Sequence, residues 1–236
     1  QPSQQVESTL DDKLKYVYDN FIPGLKRKIR EDAITQYIAS LIGLTEVNTA
    51  VLIKNDLAKP STIVNDFITN AILYHRAAKF IEGFRLDETE VQHFTNFSAN
   101  FAGINFKAIL PYHWKRIYDY AELRCTSPQG QATLIEVFSR ANETKPESST
   151  AELQALLLKA MAWNSNVIDY LINTHFALTV EDFKSEIKLL RLRDAVRIIT
   201  KTGIPLETAK EWGKSNTSFN SLHNSAKLIK SALKAK

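Results

Sequence analysis

A chain of 236 residues with 44% apolar content can bury roughly 70–75% of the surface it exposes when unfolded, so it needs no staples in order to fold. Its single cysteine, Cys125, excludes an internal disulfide, and seven glycines and seven prolines among many Leu, Ile, Ala, Lys and Glu disfavour a strand-and-turn protein. The net charge of +4 is a tail effect: Lys210 to Lys236 holds six lysines against one glutamate, a net +5, which leaves −1 elsewhere and argues against a nucleic-acid-binding body.

Taken in order, Leu10, Leu14, Val17 and Tyr18 place a helix over 6–18, and Pro23-Gly24 is expected to break it. A second helix covers 25–42 and stops at Gly43; Thr45 then caps a short helix whose Val47, Val51 and Leu52 face inward. Lys59-Pro60 closes it, and Ser61 caps a long helix over 62–82 that Gly83 stops. Asp87 and Glu90 have the spacing of a capping box for a helix carrying Val91, Phe94 and Phe97. The aromatic stretch 101–106 around Gly103 reads as a compact turn against the core. A helix over 112–124 places Trp114, Ile117, Tyr118, Ala121 and Leu123 for burial.

Ser127-Pro128-Gln129-Gly130 is a loop, 133–141 is short and apolar, and the polar stretch 142–150 reads as a mobile surface loop. An amphipathic helix over 152–162 follows, then Trp163 bridges to the cap Asn164, and 176–178 bridges to Thr179 with its acidic first turn. The segment 189–212 states the pattern most fully. Leu189, Leu192, Val196 and Ile199 form one stripe that Leu190, Ala195 and Ile198 widen, Gly203 supplies a left-handed stop, and Pro205 opens a short helix through Leu206, Ala209 and Trp212. Residues 218–236 form an amphipathic helix frayed at its end. The same stop, apolar bridge and capped restart recurs around Gly43, Gly83, Trp163, Leu178 and Gly203, without the fixed period of a solenoid.

The expected fold is therefore all-α: an irregular multi-helix bundle of short capped helix-turn-helix units with no substantial sheet. It is divided into an N-terminal helical segment 1–60, a helical domain 61–215 and a basic C-terminal helix or tail 216–236. The longest notable uncharged apolar run, 33–45, is shorter than the roughly 18–20 residues a membrane span needs. The start, Gln1-Pro2-Ser3-Gln4-Gln5, has no signal-like character and reads as the beginning of a piece of a longer protein.

Few residues invite chemistry. Glu90 and His93 form one Glu-x-x-His on a helical face, but a carboxylate-bridged metal pair needs two such motifs and two further glutamates, and no other histidine has a glutamate three residues before it. His75, His113, His175 and His223 are scattered and read as satisfied or exposed. Cys125, beside Arg124, reads as structural. Trp114, Trp163 and Trp212 lie among leucines and isoleucines and are expected in the core. Arg191, Arg193, Arg197 and Lys201 make a basic face, solvated or paired with acidic neighbours. No phosphate loop, dinucleotide fingerprint or nucleophile elbow is present. No catalytic, cofactor-binding or metal-binding residue is thus expected.

The runs FIEGFRLDETEVQHF, LPYHWKRIYDYAELR, TLIEVFSRA, MAWNSNVIDYLINTHF and LLRLRDAVRIITKTGIPLETAKEW together resemble, in order and spacing, a helical region of the A subunits of bacterial toxin complexes (Tc toxins). The similarity covers about residues 71–215. The resemblance implies a secreted homopentameric toxin whose very large A chains form a helical shell around a translocation channel. It places this piece beside the segment termed neuraminidase-like. It implies no sialidase activity, since the strand-rich composition and Asp-box repeats of sialidases are missing, and no cofactor. The implied partners are other parts of the same chain and sibling subunits, with no nucleic acid and no membrane span. The alternative is a helical module that binds a partner protein or an anionic surface.

Overall fold

The computed structural model describes residues 10–58, 63, 65–128, 134–143, 149–203, 205–212 and 218–234, leaving out the side chains of 10, 11, 211, 212, 221, 225 and 232–234. Among them there is no strand, and the fold is all-α. The helices are α1 (Leu10–Tyr16), α2 (Ile22–Ile42), α3 (Glu46–Leu57), α4 (Phe67–Gly83), α5 (Glu88–Asn96), α6 (Pro111–Arg124), α7 (Leu134–Asn142), α8 (Thr150–Met161), α9 (Ser165–Tyr170), α10 (Glu186–Thr202), α11 (Leu206–Trp212) and α12 (Phe219–Lys234). Ser61, Pro60, the core of the 142–150 loop and the Trp212 side chain fall outside the description.

The chain divides into two compact units, 1–92 with 105–108, and 93–104 with 109–236. In the first, α2 packs on α3 and α4, burying Ile38, Ala39, Ile42, Leu52, Ile53, Ala77, Ala78 and Ile81. In the second, α6 packs on α10 and α7 on α8, around Ile117, Leu123, Val137, Leu153, Leu157, Leu189 and Leu192.

The expected break at Pro23 is corrected. Between α1 and α2 the backbone widens into a π-turn, Val17–Phe21, in which the Ile22 N–H reaches back five residues to the Val17 carbonyl. Proline lacks an N–H and collides with the carbonyl four residues back. The widened turn displaces that ladder, so Pro23 sits in the first turn of α2 and the helix runs on.

The recurring stop has a clear backbone form. Gly43, Arg85, Ala162, Ala177 and Gly203 all have positive φ, between 45° and 74°, and each is followed by one apolar residue: Leu44, Leu86, Trp163, Leu178 and Ile204. At the first four, Thr45, Asp87, Asn164 and Thr179 then open the next turn. Thr45 Oγ1 accepts from the Asn48 N–H at 3.2 Å. Asp87 and Glu90 exchange a reciprocal pair of 2.8 Å bonds, and Asn164 accepts from the N–H groups of Asn166 and Val167. Asp182 accepts from the Thr179 N–H at 2.9 Å. The left-handed residue lets its own N–H close on a carbonyl four residues back, as Gly43 does on Ala39 and Gly203 on Ile199. The helix stops where expected, since Gly83 ends α4, and it is Arg85 that takes the left-handed conformation while the Leu86 N–H bonds the Ile81 carbonyl.

Two mutations separate strain from packing at these joints. A Cβ added at Gly43 would meet nothing within 4 Å, so Gly43→Ala, like Gly203→Ala, is expected to cost about 1 kcal/mol through backbone strain alone. Ala162→Gly is expected to do the reverse and raise the urea midpoint, because Ala162 is solvent-exposed at φ 50°.

Several expected core positions face solvent instead. Trp114 is 52% exposed, Tyr118 54%, Ile198 55% and Val47 50%, and Trp163 is half-buried. On α6 the buried row is His113, Ile117, Tyr120 and Leu123, which turns Trp114 and Tyr118 outward.

Candidate functional site

The chemistry-bearing side chains concentrate in the core of the second unit. Phe94, on α5, is fully buried and meets Phe101 and Tyr120 edge-on, with ring centroids 4.7 and 5.0 Å away. Phe138, from α7, closes the group against Phe101 at 5.9 Å and Tyr120 at 6.1 Å. Edge-to-face contacts of this kind contribute beyond the area they bury.

Arg116, from α6, lies over the Phe101 ring at 5.6 Å. Its guanidinium donates to both carboxylate oxygens of Glu186, through Nε to Oε1 and Nη2 to Oε2 at 3.0 Å. Nη2 also donates to the Asn100 carbonyl at 2.7 Å. The Glu186 side chain is wholly buried and that of Arg116 is 16% exposed. The pair therefore fixes the first turn of α10 to α6. A fork of two parallel N–H···O bonds is the geometry in which arginine outperforms lysine. Sequence gave no sign of it, because the partners stand seventy residues apart and Glu186 has the ordinary look of an acidic first-turn residue.

His93 lies against the same aromatic group, 4.9 Å from Phe97 and about 6 Å from Phe101 and Phe138. Its Nδ1 shares a hydrogen bond of 3.1 Å with Ser139 Oγ, and Nε2 is buried with no hydrogen-bond partner among the described residues. Burial pushes its pKa down from 6.5 to about 4. The imidazole is thus neutral at physiological pH. The unfolded chain binds a proton near pH 6.5 that the folded one refuses until about pH 4, so stability falls as pH drops through that window. The full gap corresponds to about 3 kcal/mol. Urea midpoints between pH 7 and pH 4 are expected to fall less steeply in His93→Leu than in the native chain.

The other sequence candidates are dispersed. Glu90 is engaged in the Asp87 capping box. His113 is buried in α6, where Nδ1 accepts from the Leu110 N–H at 3.2 Å, placing the proton on Nε2, 3.3 Å from the Ala102 carbonyl. His75, His175, His223 and Cys125 are exposed. Of the basic face, Arg193 bonds Asp194 at 3.0 Å and approaches Glu122 at 3.9 Å, and Arg197 lies 3.6 Å from Asp194. Among the described residues no group of three or more His, Cys, Asp or Glu is placed to share a metal ion.

The first unit has a smaller polar set. Asp56 accepts from the Tyr74 hydroxyl at 2.7 Å and from Lys107 Nζ at 2.8 Å. Burial, and next the Asp56 carboxylate, raises the Tyr74 phenol above its usual range. The Arg116–Glu186, His93–Ser139 and Asp56–Lys107 contacts each join elements that are distant in the chain. The His93–Ser139 contact sets a hydroxyl 3.1 Å from an imidazole that is almost fully buried. No protein family, curated protein or solved structure matches the chain.

Proposed function

We propose that the chain is a non-catalytic structural piece of a large secreted Tc-type toxin A subunit, part of the helical shell around a translocation channel in a homopentamer. The observation that carries this reading is the serial order of the five resembling segments. Three of them hold a left-handed joint: Arg85 in the first, Ala162 in the fourth and Gly203 in the last. Such a chain of short capped helices supplies the corners that a shell wall needs. The polar side chains with chemical potential, Arg116, Glu186, His93 and His113, are engaged in joining or filling elements.

Two measurements test the proposal. A reading frame several-fold longer than this chain, with a pore-forming region downstream, supports it; a frame ending near Lys236 overturns it. Turnover of a sialoside or glycoside by the purified chain, abolished by one point mutation within it, overturns the non-catalytic part.

A further inference from the structure

From Asp12 to Arg30, across α1, the widened turn and the start of α2, none of the described side chains is buried. A bare helix is marginal in water unless one of its faces is covered. This one carries an apolar face. Leu14, Tyr18, Phe21, Leu25 and Ile29 are 48–68% exposed, and Leu25 and Ile29, one turn apart beyond the widened turn Val17–Phe21, share one side of α2.

The charges beside that row are mostly cationic: from Leu14 to Arg30 there are five cations, Lys15, Lys26, Arg27, Lys28 and Arg30, and one acid, Asp19. Lys26 and Arg30 follow Leu25 and Ile29 by one residue and flank the row on one side, and Lys28 precedes Ile29 and flanks it on the other. Arg27 and Lys28 have acidic partners one turn on, Glu31 at 3.8 Å and Asp32 at 2.8 Å. Lys26 and Arg30 have no ion-pair partner among the described residues.

An apolar and aromatic row bordered by ammonium and guanidinium groups matches the boundary of an anionic bilayer: the rings and aliphatic chains enter the acyl edge while the long basic side chains reach the phosphates. We propose that this arm is a binding site for an anionic phospholipid surface, lying in the headgroup plane. A second copy is the poorer occupant, since pairing would bring two cationic rows together. Among the described residues no single helix is long and apolar enough to cross a membrane, although Asp12–Ile42 and Glu46–Leu57 pass that test together as a bent pair. This inference goes beyond the scaffold role and does not depend on it.

The test is co-sedimentation of the full chain with phosphatidylcholine vesicles, with and without about 30% phosphatidylserine. Binding is expected only to the anionic vesicles, weakening at least about tenfold between roughly 50 and 300 mM salt. The double variants Leu25→Ser/Ile29→Ser and Lys26→Glu/Arg30→Glu are each expected to lose about tenfold in binding. Their thermal midpoints are expected to stay unchanged, because the replaced side chains are exposed. The tail variant Lys227→Glu/Lys230→Glu is expected to bind as the native chain does. The proposal is overturned by binding to neither vesicle, by equal binding to neutral vesicles, or by a loss confined to the tail variant. It is equally overturned if the arm variants instead abolish a dimer seen by analytical ultracentrifugation.

Discussion

Arg116→Ala is expected to destabilise the chain by about 3–5 kcal/mol, among the largest effects of any single substitution in it. The mutation removes the fork that neutralises Glu186 and leaves a carboxylate with a fully buried side chain facing the Phe101 side of the core. It also strips the Asn100 carbonyl of its 2.7 Å donor. Combining Arg116→Met with Glu186→Leu is expected to recover most of the stability, since removing both charges also removes the cost of burying them. Urea midpoints of Arg116→Met, Glu186→Leu and the double variant supply the thermodynamic cycle. If Arg116→Ala costs under about 1 kcal/mol, the pair is a solvated contact and the description of this core is wrong.

Phe94→Ala is expected to cost about 3–5 kcal/mol, the toll for a fully buried aromatic whose cavity its neighbours cannot refill. Phe94 has no exposed surface and sits edge-on to Phe101 and Tyr120, both fully or almost fully buried themselves. Trp114→Ala offers the contrast. Although its side chain is larger, Trp114 is 52% exposed, and its loss is expected to cost less than about 1 kcal/mol. Thermal unfolding of both variants, with helical circular dichroism checked below the transition, separates the two cases. Equal losses would mean that α6 presents Trp114 to a buried surface.

Residues 111–124 show why one of these outcomes was legible beforehand and the other was not. The helix and its start at Pro111 follow from local rules, and the spacing of Ile117, Tyr120 and Leu123 is an ordinary helical stripe. Yet Trp114, Tyr118 and Ala121 form a second stripe of similar apolarity one residue round. Periodicity cannot choose between two apolar faces, and the choice falls to whatever packs on the helix. Here α10 covers the side that carries Ile117 and Leu123. The same ambiguity misplaced Val47 and Ile198. Trp212 and the 142–150 loop lie largely outside the described residues.

At the site, capping was readable and assembly was not. Thr45, Asp87 with Glu90, and Asn164 accept from N–H groups two or three residues away, and Asp182 accepts from that of Thr179, so sequence spacing alone locates them. Glu186 meets Arg116 across seventy residues, and His93 meets Ser139 across forty-six. No spacing rule reaches that far.

The amino-acid sequence by itself determined the all-helical class, the caps and the rhythm of stop, apolar bridge and restart, because these depend on steric and hydrogen-bonding preferences acting within about five residues. It also marked glycine as the natural stop at 43 and 203. Only the tertiary structure decided that Arg85, Ala162 and Ala177 adopt the same left-handed backbone without being glycine. A strain of about 1–2 kcal/mol at such a residue is outweighed once Leu86 and Leu178 are buried beside it. Tertiary structure likewise decided which of two apolar faces turned inward, and which polar groups met in the core. Burial and long-range pairing depend on neighbours that only the folded chain brings together.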